Sequence, residues 1–423
     1  MMGTRIKIAM WLIASLVFVA GLFGLRVLQL NGAFEPKPSA PQAAPGNADP
    51  YLKTPLPDPD SDVLFGVDNG GMSIVRYSPG KGFWAREEQV SNSIGSGLHV
   101  DDGHYIFSVG GPFSNEIVSV DLQWARPWAA ASVTPIQGVS HAAAFDAVRH
   151  RYFILTPGKV SVYQVHGPNF KQINTVGVNV NADVIAADGS GRFLFTCPGQ
   201  GAASCREFDI DAQTGELSPE GGRELAFSSA VHRLFSTPDG RFLVVPDEKF
   251  GVHRPPEYKL NAQLKYSPVP GTGQEIPDVG FLRIYRLASG GGIAPVPGSP
   301  FRTQHVPWSV TLSPNGHFVY VGYQLTGAVV GQGLDAYSLN PKSGALKFLP
   351  DAITLTHGGA QENPQTLIFG QSQGRAFGDT RNAQLIAYDA DPQTGHLTPR
   401  ARTFLWPHLA WVLSAPEHPA QNQ

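Results

Sequence analysis

Charge is scarce in this 423-residue chain: Lys, Arg, Asp and Glu make up only 15% of it, and the formal net charge is −3. No basic run follows the first few residues, so nothing would neutralise a phosphate backbone, and nucleic acid is not expected as a partner. Cysteine is almost absent. Cys197 and Cys205, in TCPGQGAASCREF, are the only two, too few for a zinc cage and wrongly spaced for CxxC redox chemistry. In an oxidising compartment they can close a short hairpin loop as a disulfide; a pair of buried or free thiols is the alternative. Phosphate-cradling glycine loops, a nucleophile elbow and an HExxH pair are missing too, so no cofactor is expected.

Turn formers, by contrast, abound, with 47 Gly and 36 Pro beside 42% hydrophobic residues. Few charges, many turns and ample apolar material describe an all-β protein of many short strands, since each hairpin needs residues that tolerate tight dihedrals.

The first thirty residues are of another kind. Ile8 to Leu25 is an uncharged apolar run behind Arg5 and Lys7. Its length is at the lower end of what spans a bilayer, and the flanking charges leave the N-terminus cytoplasmic and the remainder exported. Residues 1–30 are therefore read as a single-pass transmembrane anchor in a bacterial inner membrane, with a cleaved signal peptide as the rival. Residues 31–62 are rich in Pro and Ala and form an extended tether. The globular part is 63–416, lying in the periplasm or outside the cell, and 417–423 is a disordered tail.

An internal repeat organises 63–416. SVTLSPNGHFVYVGY (309–323), LFSTPDGRFLVVPD (234–247) and AAFDAVRHRYFILTP (143–157) each read as strand A, a polar turn and strand B. Alternating C strands follow, such as LDAYSL (334–339) and QLIAYDA (384–390). Three run into nearly the same hairpin: DAQTGELSP (211–219), NPKSGALKFLP (340–350) and DPQTGHLTP (391–399). Seven B strands begin near Val63, Tyr105, Tyr152, Phe193, Phe242, Phe318 and Ala376. The first lacks an A strand, while WPHLAWVLSAP (406–416) supplies one at the other end. Seven four-stranded sheets closed into a ring by the C-terminal strand, a seven-bladed β-propeller, are predicted.

These segments, together with NPQTLIFGQSQGRAF, AYDADPQTGHL and PHLAWVLSAP, resemble the seven-bladed lactonase family, typified by the propeller-type 6-phosphogluconolactonase. The resemblance covers 63–416 and implies lactone hydrolysis at the mouth of a central channel. It also implies Pro-Arg at several A-strand starts, where this chain has Pro307-Trp308, Pro364-Gln365 and Pro407-His408. Arginine's planar fork is the natural partner of phosphate, so the phosphorylated substrate is disfavoured.

In a propeller the D-to-A connections and B-to-C loops share one face. Aligning the A strands puts Gly95, His141, Asp183, His232, Trp308, Gln365 and His408 at that channel mouth. A long B-to-C insertion, 247–279, lies on the same face and carries Asp247, His253 and Arg254; a loop this long without strands of its own is either functional or a solvated excursion. For lactone opening, His141 or His232 would be the base, Asp183 would orient an imidazole, and Arg254 or Arg233 would hold the developing oxyanion. Trp308, Gln365, His408, Arg233, His253 and Asp247 would contact the ligand. The competing reading is a non-catalytic propeller that binds a small molecule or an envelope ligand. A His/Asp metal site is chemically possible, but residues on separate blades stand far apart across a channel. A monomer is expected.

Overall fold

Two turn chemistries recur and set the strand lengths. At the A-to-B corners a short polar side chain bonds back to the first N–H of the B strand: Phe318 N donates to Ser313 Oγ at 2.9 Å, Phe242 N to Thr237 Oγ1 at 3.1 Å and Phe193 N to Asp188 Oδ1 at 2.8 Å. Gly191, Gly240 and Gly316 complete these corners with φ of 64–68°, a left-handed conformation that glycine adopts without a steric cost. At the C-to-D corners Asp211, Asn340 and Asp391 accept the N–H groups two residues on (Gln213, Lys342, Gln393). Gly215, Gly344 and Gly395 follow at φ of 73–77°.

The computed structural model describes residues 62–68, 71–89, 99–101, 105–109, 115–121, 132–146, 148–198, 204–218, 222–228, 231–247, 258–260, 266–268, 280–325, 331–353, 364–370, 374–380, 384–404 and 411–416. All of these lie in the unit Thr54–Gln423. The described residues form strands and no helix, so no helix among them is long and apolar enough to cross a membrane. The Ile8–Leu25 run and the tether lie outside the described residues.

Among the described residues, six antiparallel sheets of four strands and one of five follow one another, plus a separate two-stranded ribbon. Their inner strands are His99–Asp101, Ala142–Asp146, Ala182–Ala187, Phe235–Ser236, Pro307–Leu312, Pro364–Phe369 and Trp411–Pro416. The last pairs antiparallel with Asp62–Asp68, Val63 opposite Ala415 and Leu64 opposite Ser414, so the two ends of the described chain share one sheet. Ala182–Ala187 also touches Ala142–Asp146 and Phe235–Ser236, and Pro364–Phe369 touches Pro307–Leu312 and Trp411–Pro416.

The core sits between the sheets. Phe153, Leu155 and Val160 of one sheet pack on Leu194, Phe208 and Leu217 of the next, and Phe318 and Tyr320 pack on Leu367, Ala376 and Tyr388. Each C-to-D corner docks on the preceding sheet: Arg151 Nη2 donates to Thr214 O at 3.4 Å, Arg286 Nη2 to Lys342 O at 2.6 Å and the Tyr320 hydroxyl to Gly395 O at 2.8 Å.

The insertion corrects one expectation. Between Phe242–Asp247 and its sheet partner Phe281–Leu287 the chain does carry secondary structure, the ribbon of Tyr258–Leu260 paired with Tyr266–Pro268. Both of its strands carry a tyrosine and an aliphatic or proline residue, enough for a short hairpin that the residue count alone does not announce.

Candidate functional site

The side chains aligned from the sequence share a backbone peculiarity. In three sheets the pairing of the inner strand skips its second residue: Asp183 between Ala182 and Val184, Trp308 between Pro307 and Ser309, and Gln365 between Pro364 and Thr366. His141 stands in the matching place, directly before Ala142, with its N–H bonded to Leu155 O at 2.8 Å. His232 precedes Phe235–Ser236 by three residues, as Trp308 precedes Thr311. Strict alternation predicts a regular ladder; the bulge instead leaves Asp183, Trp308 and Gln365 without a partner in the pairing register. His141, Asp183, His232 and Trp308 are all solvent-exposed, Trp308 to 40%.

Two of the sequence candidates meet. His141 Nδ1 lies 3.6 Å from Asp183 Oδ1, with side-chain exposures of 37% and 56%. That distance is beyond hydrogen-bond reach, so Asp183 faces the imidazole as a neighbouring negative charge. Arg233 Nη1 donates to Trp308 O at 2.5 Å, fixing its guanidinium beside the indole's own backbone. Cys197 and Cys205 form a disulfide within the core. Asp247 and Gln365 are placed in strands, but their side chains are not among those described; His253, Arg254, His408 and Gly95 lie outside the described residues. Among the described residues no group of three or more His, Cys, Asp or Glu could hold a metal ion.

Sequence reasoning missed two acids at the same end of the sheets. Asp335 is buried and accepts from His305 Nδ1 at 3.1 Å, and the His305 ring stacks on Tyr323 with centroids 3.7 Å apart. Burial, reinforced by the Asp335 charge, pushes the Tyr323 hydroxyl up and keeps it neutral. The signal was present: Asp335 pairs with Val321 as Ile386 pairs with Gly378, so an acid occupies an apolar position of the repeat. Asp379 is the second. It is buried opposite Thr366 and Leu385, and its Oδ1 has no hydrogen-bond partner. Desolvation pushes its carboxyl up to about 7, against the pull of the Thr380 N–H. A lone acid in the strand Arg375–Thr380 was its only mark in the sequence.

Successive antiparallel sheets packed face to face, with inner strands side by side, define a β-propeller. No family model matches the chain, and no curated protein matches its sequence. Solved structures do match. A protein of Bacteroides fragilis described as a candidate 6-phosphogluconolactonase is 13% identical over 84% of this chain and 98% of its own, with a TM-score of 0.53. A second such candidate, from Bacteroides uniformis, is 13% identical over 85% of this chain and 100% of its own at 0.52. A functionally unknown protein of Desulfotomaculum acetoxidans is 15% identical over 82% and 99% at 0.53. At such identities the likeness is one of fold.

Proposed function

We propose that this chain is a seven-bladed propeller, held at a bacterial inner membrane by residues 1–30 and raised from it by 31–62, that hydrolyses a non-phosphorylated lactone or related cyclic ester. The observation that carries the reading is the approach of Asp183 Oδ1 to His141 Nδ1, 3.6 Å away. An imidazole beside that carboxylate takes a proton from water at Nε2 while the water oxygen attacks the ring carbonyl. Negative charge gathers on the carbonyl oxygen, where Arg233 or Arg254 would stabilise it. The C–O ring bond then breaks, the imidazolium returns its proton to the leaving alkoxide, and a hydroxy acid departs. His232 is the alternative base.

Trp308 would hold the ligand's ring face, with Gln365, His408, His253 and Asp247 supplying polar contacts at the same mouth. The absence of Pro-Arg pairs at the strand starts favours a ligand without phosphate. The molecule acts as a monomer and needs no cofactor. The sheet shared by 62–68 and 411–416 supports closure of the seven sheets into one ring.

The test is a panel of sugar and aromatic lactones with His141→Ala, His232→Ala and Asp183→Asn alongside the wild type. Loss of turnover of about 100-fold or more in a histidine variant that melts normally supports the reading. A wild type that opens no lactone makes the mouth carrying His141 and Trp308 a ligand-binding site without lactone chemistry. For location, an export-dependent reporter fused after residue 60 should be active; activity of a cytoplasm-only reporter at that junction ends the anchored, exported reading.

A further inference from the structure

We propose that His305, with Asp335 and Tyr323, is a second proton-transfer centre of this protein, able to activate water against an ester carbonyl independently of His141. It goes beyond the lactone reading and does not depend on it.

The centre is built more tightly than the His141–Asp183 pair. His305 lies in the connection from Phe301–Arg302 to the inner strand Pro307–Leu312, where Thr303 Oγ1 donates to its carbonyl oxygen at 2.6 Å. The preceding residue is fixed as well, since Gln304 N donates to the Tyr337 hydroxyl at 3.0 Å. Its Nδ1 donates to Asp335 Oδ2 at 3.1 Å, and that carboxylate side chain is only 8% exposed, against 56% for Asp183. A carboxylate screened from water holds its hydrogen-bond partner in place more firmly than an exposed one. The ring lies nearly parallel to Tyr323, at 22°, so the phenol's face also fixes the plane of the imidazole. Tyr323 fits there because residue 333 is glycine: a Cβ would stand 2.5 Å from the tyrosine hydroxyl oxygen. Carbonyl anchor, carboxylate and aromatic face together fix one ring in one orientation. With Nδ1 engaged, Nε2 is the remaining base on a side chain that is 30% exposed. Trp308, three residues on and exposed, offers a flat surface for an ester bearing a planar or sugar ring.

In the step proposed, Nε2 takes a proton from water, the water oxygen bonds to the carbonyl carbon and the ester C–O bond breaks. The imidazolium then gives its proton to the leaving oxygen, so water is consumed and an acid and an alcohol are released.

The probe is p-nitrophenyl acetate, assayed with the full chain in detergent, with NMR of 15N-histidine-labelled protein in which His305→Ala assigns the ring. Expected are a His305 tautomer with its proton on Nδ1, and a fall in kcat of about 10-fold or more in His305→Ala with KM little changed. Asp335→Asn should shift the proton toward Nε2 and lower kcat, whereas His396→Ala, at an exposed C-to-D corner, should leave this hydrolysis intact. Unchanged ester turnover in His305→Ala, or a wild-type ring protonated on Nε2, overturns the proposal. Failure of the wild type to open lactones sinks only the lactone reading, because the ester and tautomer measurements stand apart from it.

Discussion

Arg233 and Trp308 are joined across 75 residues of sequence, the guanidinium Nη1 donating to the Trp308 carbonyl oxygen at 2.5 Å. The bond ties the approach to one inner strand to the bulge of the next, at the end where the candidate residues gather. Arg233→Ala should cost about 1 kcal/mol, the ordinary net worth of such a hydrogen bond. Arg233→Lys should recover only part, because an ammonium lacks the planar fork. Denaturant melts of the three proteins check this, and equal midpoints would show that the bond holds nothing.

Asp379 should give the stability curve a downward slope with rising pH. Its folded pKa of about 7 lies above the unfolded value of about 3.9, so between those limits the native state keeps a proton that the unfolded chain releases. Stability attributable to this group therefore falls as pH rises from about 4 to 7 and is flat above, by up to about 1.4 kcal/mol per pH unit. Asp379→Asn keeps the shape without the ionisation. It should match the wild type near pH 4 and exceed it at pH 8, as read from unfolding midpoints across that range.

The disulfide closes a loop of eight residues' separation, short enough that its restraint on the unfolded chain is modest. Replacing both Cys197 and Cys205 by Ala should cost about 2–3 kcal/mol on the loop-entropy account. Both thiol positions are buried beside Phe195 and Leu225, so some packing is lost as well. Reductant should lower the melting temperature of the wild type and leave the double variant unaffected.

Removing everything after Phe404 deletes Trp411–Pro416 and bares the pairing edge of Asp62–Asp68. Leu64, buried at 1% exposure against Phe377 and Leu385, then loses the strand that covers its sheet. The truncated protein should unfold or melt several degrees lower, with aggregation through the open edge. A truncation that melts like the full chain would show that closure contributes nothing to stability.

What could be read from residues alone was whatever depends on neighbours in sequence. Alternation in FVYVGY and FLVVPD, polar corners such as SPNG and TPDG, and glycine where φ must be positive are local requirements. The B-strand starts near Phe193, Phe242 and Phe318 coincide with the observed ones for that reason. The pairing of 411–416 with 62–68 was legible too, because one strand is missing near one end and one is in surplus near the other. The equivalence of His141, Asp183, Trp308 and Gln365 followed from strand register, yet the bulge at the last three did not, since a skipped pair leaves no compositional trace. Tertiary structure alone decided that His141 meets Asp183 and not His232, that Asp335 receives His305, and that Asp379 is buried without a partner for its Oδ1. The first lies across the seam between two sheets and the others depend on what packs over a strand, so each distance is set by tertiary packing. A pattern of period two carries no information about that distance.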